Sequence, residues 1–350
     1  MKLSCLALFL LIAASAQAQP RIQNGVLETH PVQGSLEQTF RKIVQADSGS
    51  SWIGYAVPSI RGGSSLCCGT DSCCGACRLE GNAANPEGGK QDSVARLESS
   101  NRMLVMFRIE GRTVNRIRTF HENCPLDAGR LRVHWLGDVQ PTESIKLLAG
   151  FTTAVDADSG SLKLGQSALT AIALHEDGGV DEWLRNFAES QTPSKLRRNA
   201  IFWLGSARGK NGFEALAQLV KSEQDPSIRE HIAFALFTSK EPQSTRALIS
   251  IARTDSSPQV RSRALFWLAQ RAGRQAAGTI AEAAEKDPDM KVKRQAVFAL
   301  SRLPKDEGIP LLIQLARTAP NLTVRRQAMF WLGQSKDDRA LQFFEEILTR

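Results

Sequence analysis

The chain has 350 residues, 42% of them hydrophobic, and a formal net charge of +8, which is material for two or three domains. After its first residues no stretch offers the roughly 20 apolar residues of a membrane-spanning helix, so no span is expected. The positive balance permits contact with acidic surfaces but by itself names none.

In chain order, Lys2, the nearly unbroken apolar run from Leu3 to Ala14 and the small residues Ala16 and Ala18 form the three-part pattern of a secretory leader. Cleavage is expected after Ala18, giving a periplasmic or secreted protein. The alternative is a buried N-terminal helix. Cys5 lies too early to be a lipid-attachment cysteine. Its removal leaves Cys67, Cys68, Cys73, Cys74, Cys77 and Cys124, and an even number of cysteines in an exported chain points to disulfides.

Residues 19–34 read as a flexible polar arm. Ser35 to Ala46 predicts an amphipathic helix with Leu36, Phe40, Ile43 and Val44 on one face. Trp52 to Val57, ended by Pro58, suits a strand. From Ser59 to Gly89 the chain is rich in Gly, Ser, Asn and Cys, and no long regular element is expected. Arg102 to Glu110 and Thr113 to Phe120 predict two strands joined by a tight turn at Gly111. Arg132 to Leu136 predicts another strand, and Thr142 is placed to cap a helix running through Leu148. Residues 35–155 thus read as a small cysteine-bearing α+β domain.

The second half is periodic. Phe202, Phe234, Phe266, Phe298 and Phe330 recur every 32 residues, as do Leu196, Ile228, Val260, Val292 and Val324. Each of the latter is followed by a base: Arg197, Arg229, Arg261, Lys293 and Arg325. Four residues on come Ala200, Ile232, Ala264, Ala296 and Ala328; eight on come Leu204, Leu236, Leu268, Leu300 and Leu332. One period earlier, Leu164, Ala168 and Ile172 form a degenerate first copy. Positions 0, 4, 7 and 8 share one helical face. A second apolar-periodic stretch follows each, as in Phe213 to Val220, so every copy is two helices and two turns. Helices this short are marginal alone, and one pair cannot bury both of its apolar faces, whereas a stack can. Residues 156–350 are therefore expected to form an α-solenoid. Trp203, Ala235, Trp267, Ala299 and Trp331 alternate large with small, which suits interdigitated packing between copies. The rival reading is an exposed aromatic ladder that grips a ligand.

Asp225-Pro226-Ser227-Ile228-Arg229 followed by Ala233 and Leu236 resembles the short HEAT-like repeats first associated with phycobilin lyases. Asp287-Pro288 with Val292-Lys293, and Pro320 with Val324-Arg325, are similar with a two-residue slip. The resemblance implies the fold, and in such stacks the second helix of each pair lines a binding groove. It implies no particular function, since such repeats serve many. It also implies that the bases at the helix starts pair with acids of the preceding turn, for which Asp225, Asp255 and Asp287 are placed; a first-turn cation otherwise opposes the helix dipole. The alternative for these bases, with Arg198, Arg263, Arg294 and Arg326, is a stripe that binds a polyanion. HEAT-type hydroxylases hold iron through several His-Glu pairs, and in the repeats only His175-Glu176 matches. A lyase activity disagrees with export.

The cysteines are the sharpest local feature. Adjacent Cα atoms lie about 3.8 Å apart, below the disulfide range of about 4.4–6.8 Å, so Cys67–Cys68 and Cys73–Cys74 do not pair; other pairings are open. A rival reading is a metal held by Cys74, Cys77, His121 and Cys124, or a redox-active Cys74-Gly75-Ala76-Cys77. There is no Gly-x-Ser-x-Gly elbow, phosphate loop or His-Glu-x-x-His. The expectation is a non-catalytic interaction protein with a protein or peptide partner in the solenoid groove. No cofactor is expected unless the cysteines bind metal, and nucleic acid is disfavoured because the aromatic residues fall on the buried face. An enzyme centred on Cys67 to Cys77 is the contrasting reading.

Overall fold

Periodicities of two and of 3.6 residues divide the chain, and the computed structural model, which describes residues 19–60, 77–80, 100–153, 159–189, 194–271 and 273–349, carries the same division. Along the chain the division into two compact units falls between Glu176 and Asp177.

The first unit contains β1 (Ile22–Gln23), β2 (Val26–Thr29), α1 (Leu36–Ala46), β3 (Ser50–Pro58), β4 (Arg102–Glu110), β5 (Thr113–His121), β6 (Leu126–Asp127), β7 (Arg132–Asp138), α2 (Pro141–Thr153) and α3 (Ser159–Ala173). Five strands form one sheet in the order β2-β7-β3-β4-β5; β7 runs parallel to both β2 and β3, while β3-β4 and β4-β5 are antiparallel. The β4-β5 turn places Gly111 and Arg112 at φ of 54° and 62°, the two positive values a two-residue hairpin of right-handed twist requires. Ser35 caps α1 in a capping box with Gln38. β3 is buried on both faces. On one face Phe107 meets Phe40 of α1 at 4.8 Å and Phe151 of α2 at 5.9 Å. On the other, Trp52, Leu104, Met106 and Trp135 cluster with Leu79, Cys124 and Leu126.

Three expectations change here. The polar arm contains β1 and β2, because β2 is an edge strand: one neighbour and one covered face suffice, so its composition stays polar. Thr142 lies inside the first turn of α2; Gln140 is the capping position, its carbonyl accepting from the Glu143 and Ser144 amides at 3.1 Å, with Pro141 at the first helical residue where a missing N–H costs least. The unit extends to Glu176 rather than to about 155, because α3 packs on α2 and β5. The degenerate first copy is thereby divided, its first helix in this unit and its second in the next.

The second unit comprises α4 (Gly179–Glu189), α5 (Ser194–Ala207), α6 (Gly209–Ser222), α7 (Pro226–Thr238), α8 (Gln243–Thr254), α9 (Pro258–Arg271), α10 (Arg274–Lys286), α11 (Met290–Ser301), α12 (Lys305–Thr318), α13 (Leu322–Gln334) and α14 (Asp338–Leu348). The columns at Leu196, Ala200 and Leu204 and their equivalents are buried in all five copies whose first helices are α5, α7, α9, α11 and α13. First helices stack directly, α5 on α7, α7 on α9, α9 on α11 and α11 on α13, and second helices stack beside them. Helix starts share one column. Asp225 accepts from Ser227 N, Asp289 from Lys291 N and Val292 N, and Asn321 from Thr323 N and Val324 N, each satisfying amides the helix cannot. Pro226 and Pro258 follow this column while Pro288 and Pro320 precede it, which explains the two-residue slip without any shift of the helices.

Candidate interaction surface of the repeat stack

The bases at the helix starts form an internal ladder. Arg229 Nε and Nη2 donate to Asp255 Oδ2 and Oδ1 at 2.8 and 3.0 Å; Arg261 makes the same fork to Asp287 at 2.8 Å twice. Arg197 pairs with Glu223. Behind each guanidinium lies the preceding turn: Arg229 Nη1 donates to the carbonyls of Glu223 and Gln224, and Arg261 Nη1 to those of Asp255 and Ser256. Each acid also accepts a backbone amide two residues on, Asp225 N for Glu223, Ser257 N for Asp255 and Asp289 N for Asp287.

The carboxylates therefore come from the following turn, 26 residues on, not from the preceding one. The acid of the preceding turn is already committed to the arginine of the copy before, so only its carbonyls remain. Asp225 is not a rung, since its carboxylate caps α7. Both charges of the Arg229 and Arg261 rungs are over nine-tenths buried. The bonded carboxylate, opposed by burial, pushes each guanidinium pKa further above its already high value. At the fourth rung the acid column holds Ala319, and Lys293 Nζ donates instead to Glu285 O at 2.8 Å. Arg325 is half-buried. Of the neighbouring bases, Arg263 pairs with Glu230 at 3.5 Å and Arg198 reaches Ser194 and Ser227, while Arg294 and Arg326 are exposed.

The aromatic columns lie beside this ladder on the first helices. Phe202 stacks on Phe234 at 6.0 Å, Phe234 meets Trp267 at 5.0 Å, and Trp267 stacks on Phe237 at 4.7 Å. A second run joins Phe298 to Trp331 at 5.2 Å and Trp331 to Phe330 at 5.0 Å. Phe202, Trp203, Phe234, Phe266, Trp267, Phe298 and Trp331 are half-buried and Phe330 is 56% exposed. The alternating small residues Ala235 and Ala299 are fully buried. The rings thus pack sideways between copies and also keep a solvent side, so the two readings of this column are two faces of one arrangement. A pocket of about 250 Å³ adjoins the second run, lined by Leu300, Leu303, Ile309, Leu312, Trp331 and Lys305 among others.

The cysteine readings resolve in part. Cys67, Cys68, Cys73 and Cys74 lie outside the described residues. Cys77 and Cys124 form a disulfide, so neither sulfur is a thiolate, and the metal set of Cys74, Cys77, His121 and Cys124 is not formed. His121 Nδ1 instead accepts from Asn123 N at 3.2 Å, and burial holds its pKa below the ordinary value. The bridge pins the segment 77–80 over the sheet. There Leu79 is fully buried and Glu80 accepts from Trp52 Nε1 at 2.7 Å and from Arg108 Nε at 2.5 Å. His175 is no iron ligand: it is fully buried in the first unit, with Nδ1 on Ala171 O at 2.7 Å and Nε2 on Ser144 Oγ at 2.8 Å.

One column escaped the sequence reading. Gly212, Ser244, Ala276, Gly308 and Ala340 recur every 32 residues at the start of the second helices. A Cβ on Gly212 would meet Leu204 O at 1.9 Å, and one on Gly308 would meet Leu300 O at 2.3 Å. The signal was the absence of any large residue, which a search for apolar columns does not register.

This geometry defines an α-solenoid of stacked helix pairs, tied together by buried arginine–carboxylate forks. Residues 182–350 match the family model of HEAT repeats in three overlapping segments, 182–269, 245–330 and 277–350. Solved structures similar to the chain include the CpcE–CpcF complex of phycocyanin lyase from Nostoc sp. PCC7120 (21% identity, 59% of this chain and 80% of that one, TM-score 0.33). Others are YibA of Escherichia coli (17%, 59% and 76%, TM-score 0.36) and human deoxyhypusine hydroxylase with glycerol (16%, 59% and 90%, TM-score 0.26). No curated protein matches the chain. No helix among the described residues is long and apolar enough to cross a membrane.

Proposed function

We propose that this is an exported, non-catalytic scaffold that holds a protein or peptide partner on its repeat half. The observation that carries this is the pair of half-exposed aromatic runs on the first helices, the second of which adjoins the pocket at Trp331. Flat aromatic rings already fixed by their neighbours offer apolar area at little further entropic cost, the property of binding hot spots. HEAT repeats commonly mediate protein interactions, and stacked repeats present extended binding faces. The surface favoured here is that of the first helices and the adjoining pocket, rather than the second helices alone. The leader-type sequence of residues 1–18 supports export.

The polyanion reading is disfavoured because the Arg197, Arg229 and Arg261 guanidinium groups are occupied internally. Affinity capture from a native envelope fraction tests the proposal, comparing the wild type with Phe202→Ala/Phe234→Ala and with Phe298→Ala/Trp331→Ala. A partner retained by wild type and lost from at least one aromatic pair supports it. Retention by both pairs, with binding that weakens steeply as salt rises, would refute it in favour of a charged stripe.

A further inference from the structure

A second arrangement, far from the repeats in sequence, has the form of a metal centre. β2 and β7 run parallel with Glu28 opposite His134. Strand side chains alternate between faces, so the residue two places beyond Glu28, His30, returns to the same face; its amide donates to Trp135 O at 2.7 Å and extends the ladder past the end of β2. Three donor atoms converge as a result. His30 Nε2 and His134 Nδ1 are 3.0 Å apart, and Glu28 Oε2 lies 3.7 Å from the first and 3.6 Å from the second.

Ligands about 2.0–2.2 Å from a tetrahedral zinc are separated from one another by about 3.3–3.6 Å. The three distances fall around that value. We propose that Glu28, His30 and His134 bind a borderline first-row divalent cation of the zinc class, with water at the remaining position. Two imidazoles and one carboxylate suit such an ion better than magnesium or calcium, which take oxygen.

The surroundings fit. His134 Nε2 is buried and faces Asp47 Oδ2 at 3.5 Å. No hydrogen bond is made there, but a proton held on Nε2 leaves the lone pair of Nδ1 on the side of Glu28 and His30, and Asp47 stands on the side from which a carboxylate supports a ligating histidine. Arg132 Nε holds the other carboxylate oxygen of Glu28, Oε1, at 3.0 Å, leaving Oε2 for the imidazoles. The His134 side chain is 7% exposed, but those of Glu28 and His30 are 38% and 39% exposed. An ion can therefore enter from solvent, and a three-ligand set leaves one coordination position open to water or a ligand from solvent.

The test uses the full purified protein, stripped with chelator and titrated with Zn(II) by calorimetry and with Co(II) by visible absorption. His134 is buried and its loss can unfold the domain, so the variants are His30→Ala and Glu28→Gln, each checked by circular dichroism for an unchanged fold. One equivalent bound by wild type, with Co(II) ligand-field bands and no thiolate charge-transfer band, is expected. Each variant should bind at least about tenfold more weakly, and Asp47→Asn about 10–100-fold more weakly. Failure of wild type to bind, unchanged affinity in both His30→Ala and Glu28→Gln, or thiolate bands that assign the ion to cysteine would each overturn the proposal. None of these outcomes bears on the aromatic row, which is tested separately.

Discussion

Tyr55, Ser144 and His175 show how single residues hold the first unit together. All three are fully buried. Tyr55 Oη and Ser144 Oγ are 2.7 Å apart, Ser144 Oγ and His175 Nε2 are 2.8 Å apart, and His175 Nδ1 lies on Ala171 O. With the histidine proton on Nδ1, each hydroxyl donates once along the chain, and β3, α2 and α3 are joined. Burial pushes the tyrosine pKa above its ordinary value, so it stays a donor at any working pH. Ser144→Ala removes the partner shared by two buried groups and is expected to cost about 1–3 kcal/mol, read by chemical denaturation. In the repeats, Asp287→Ala strands the buried Arg261 guanidinium and is expected to cost about 3–5 kcal/mol, whereas the paired change Arg261→Met/Asp287→Leu is expected to be near neutral. Equal losses from the single and paired changes would show that the ladder is not the origin of the effect.

At the scale of elements, a repeat is defined as much by what is small or polar as by its apolar face. In an isolated helix Gly212→Ala would gain about 1 kcal/mol of propensity. Here the new Cβ would be driven into Leu204 O, and overpacking of this kind costs about 1–3 kcal/mol, so the packing term wins and the melting temperature should fall. A rise would mean that the two helices separate freely at this contact. Asn321→Ala removes the acceptor for two amides at the start of α13 and is expected to cost about 1 kcal/mol. Both positions stand in register with their equivalents in every copy, and that register was readable as soon as the period was known. Their roles were not, because a cap and a close approach are defined by where the backbone of another turn or helix lies.

Across the whole molecule, the two units are each held by different means. The first has a disulfide between residues 47 apart, and closing a loop of that length stabilises by about 4 kcal/mol in the chain-entropy account. Reduction should therefore lower the unfolding transition of the first unit and leave that of the second unchanged, as calorimetry with and without reductant would show; a shift of both would indicate one cooperative structure. The second unit relies on nearest-neighbour stacking, in which each helix pair completes its burial on the next.

What the linear chain determined by itself was the repeat: a period of 32 kept in several columns prescribes the helices, their buried faces and their stacking, because helical phase is a local property. It also prescribed β3, β4, β5 and α1, whose patterns are local too. Only the folded structure decided that the ladder runs to the following turn, that Cys77 chooses Cys124, and that the strand hidden in a polar arm brings Glu28 and His30 to His134. Those pairings join residues that share no periodicity, and their distances are set by how strands and turns meet in space rather than by spacing along the chain.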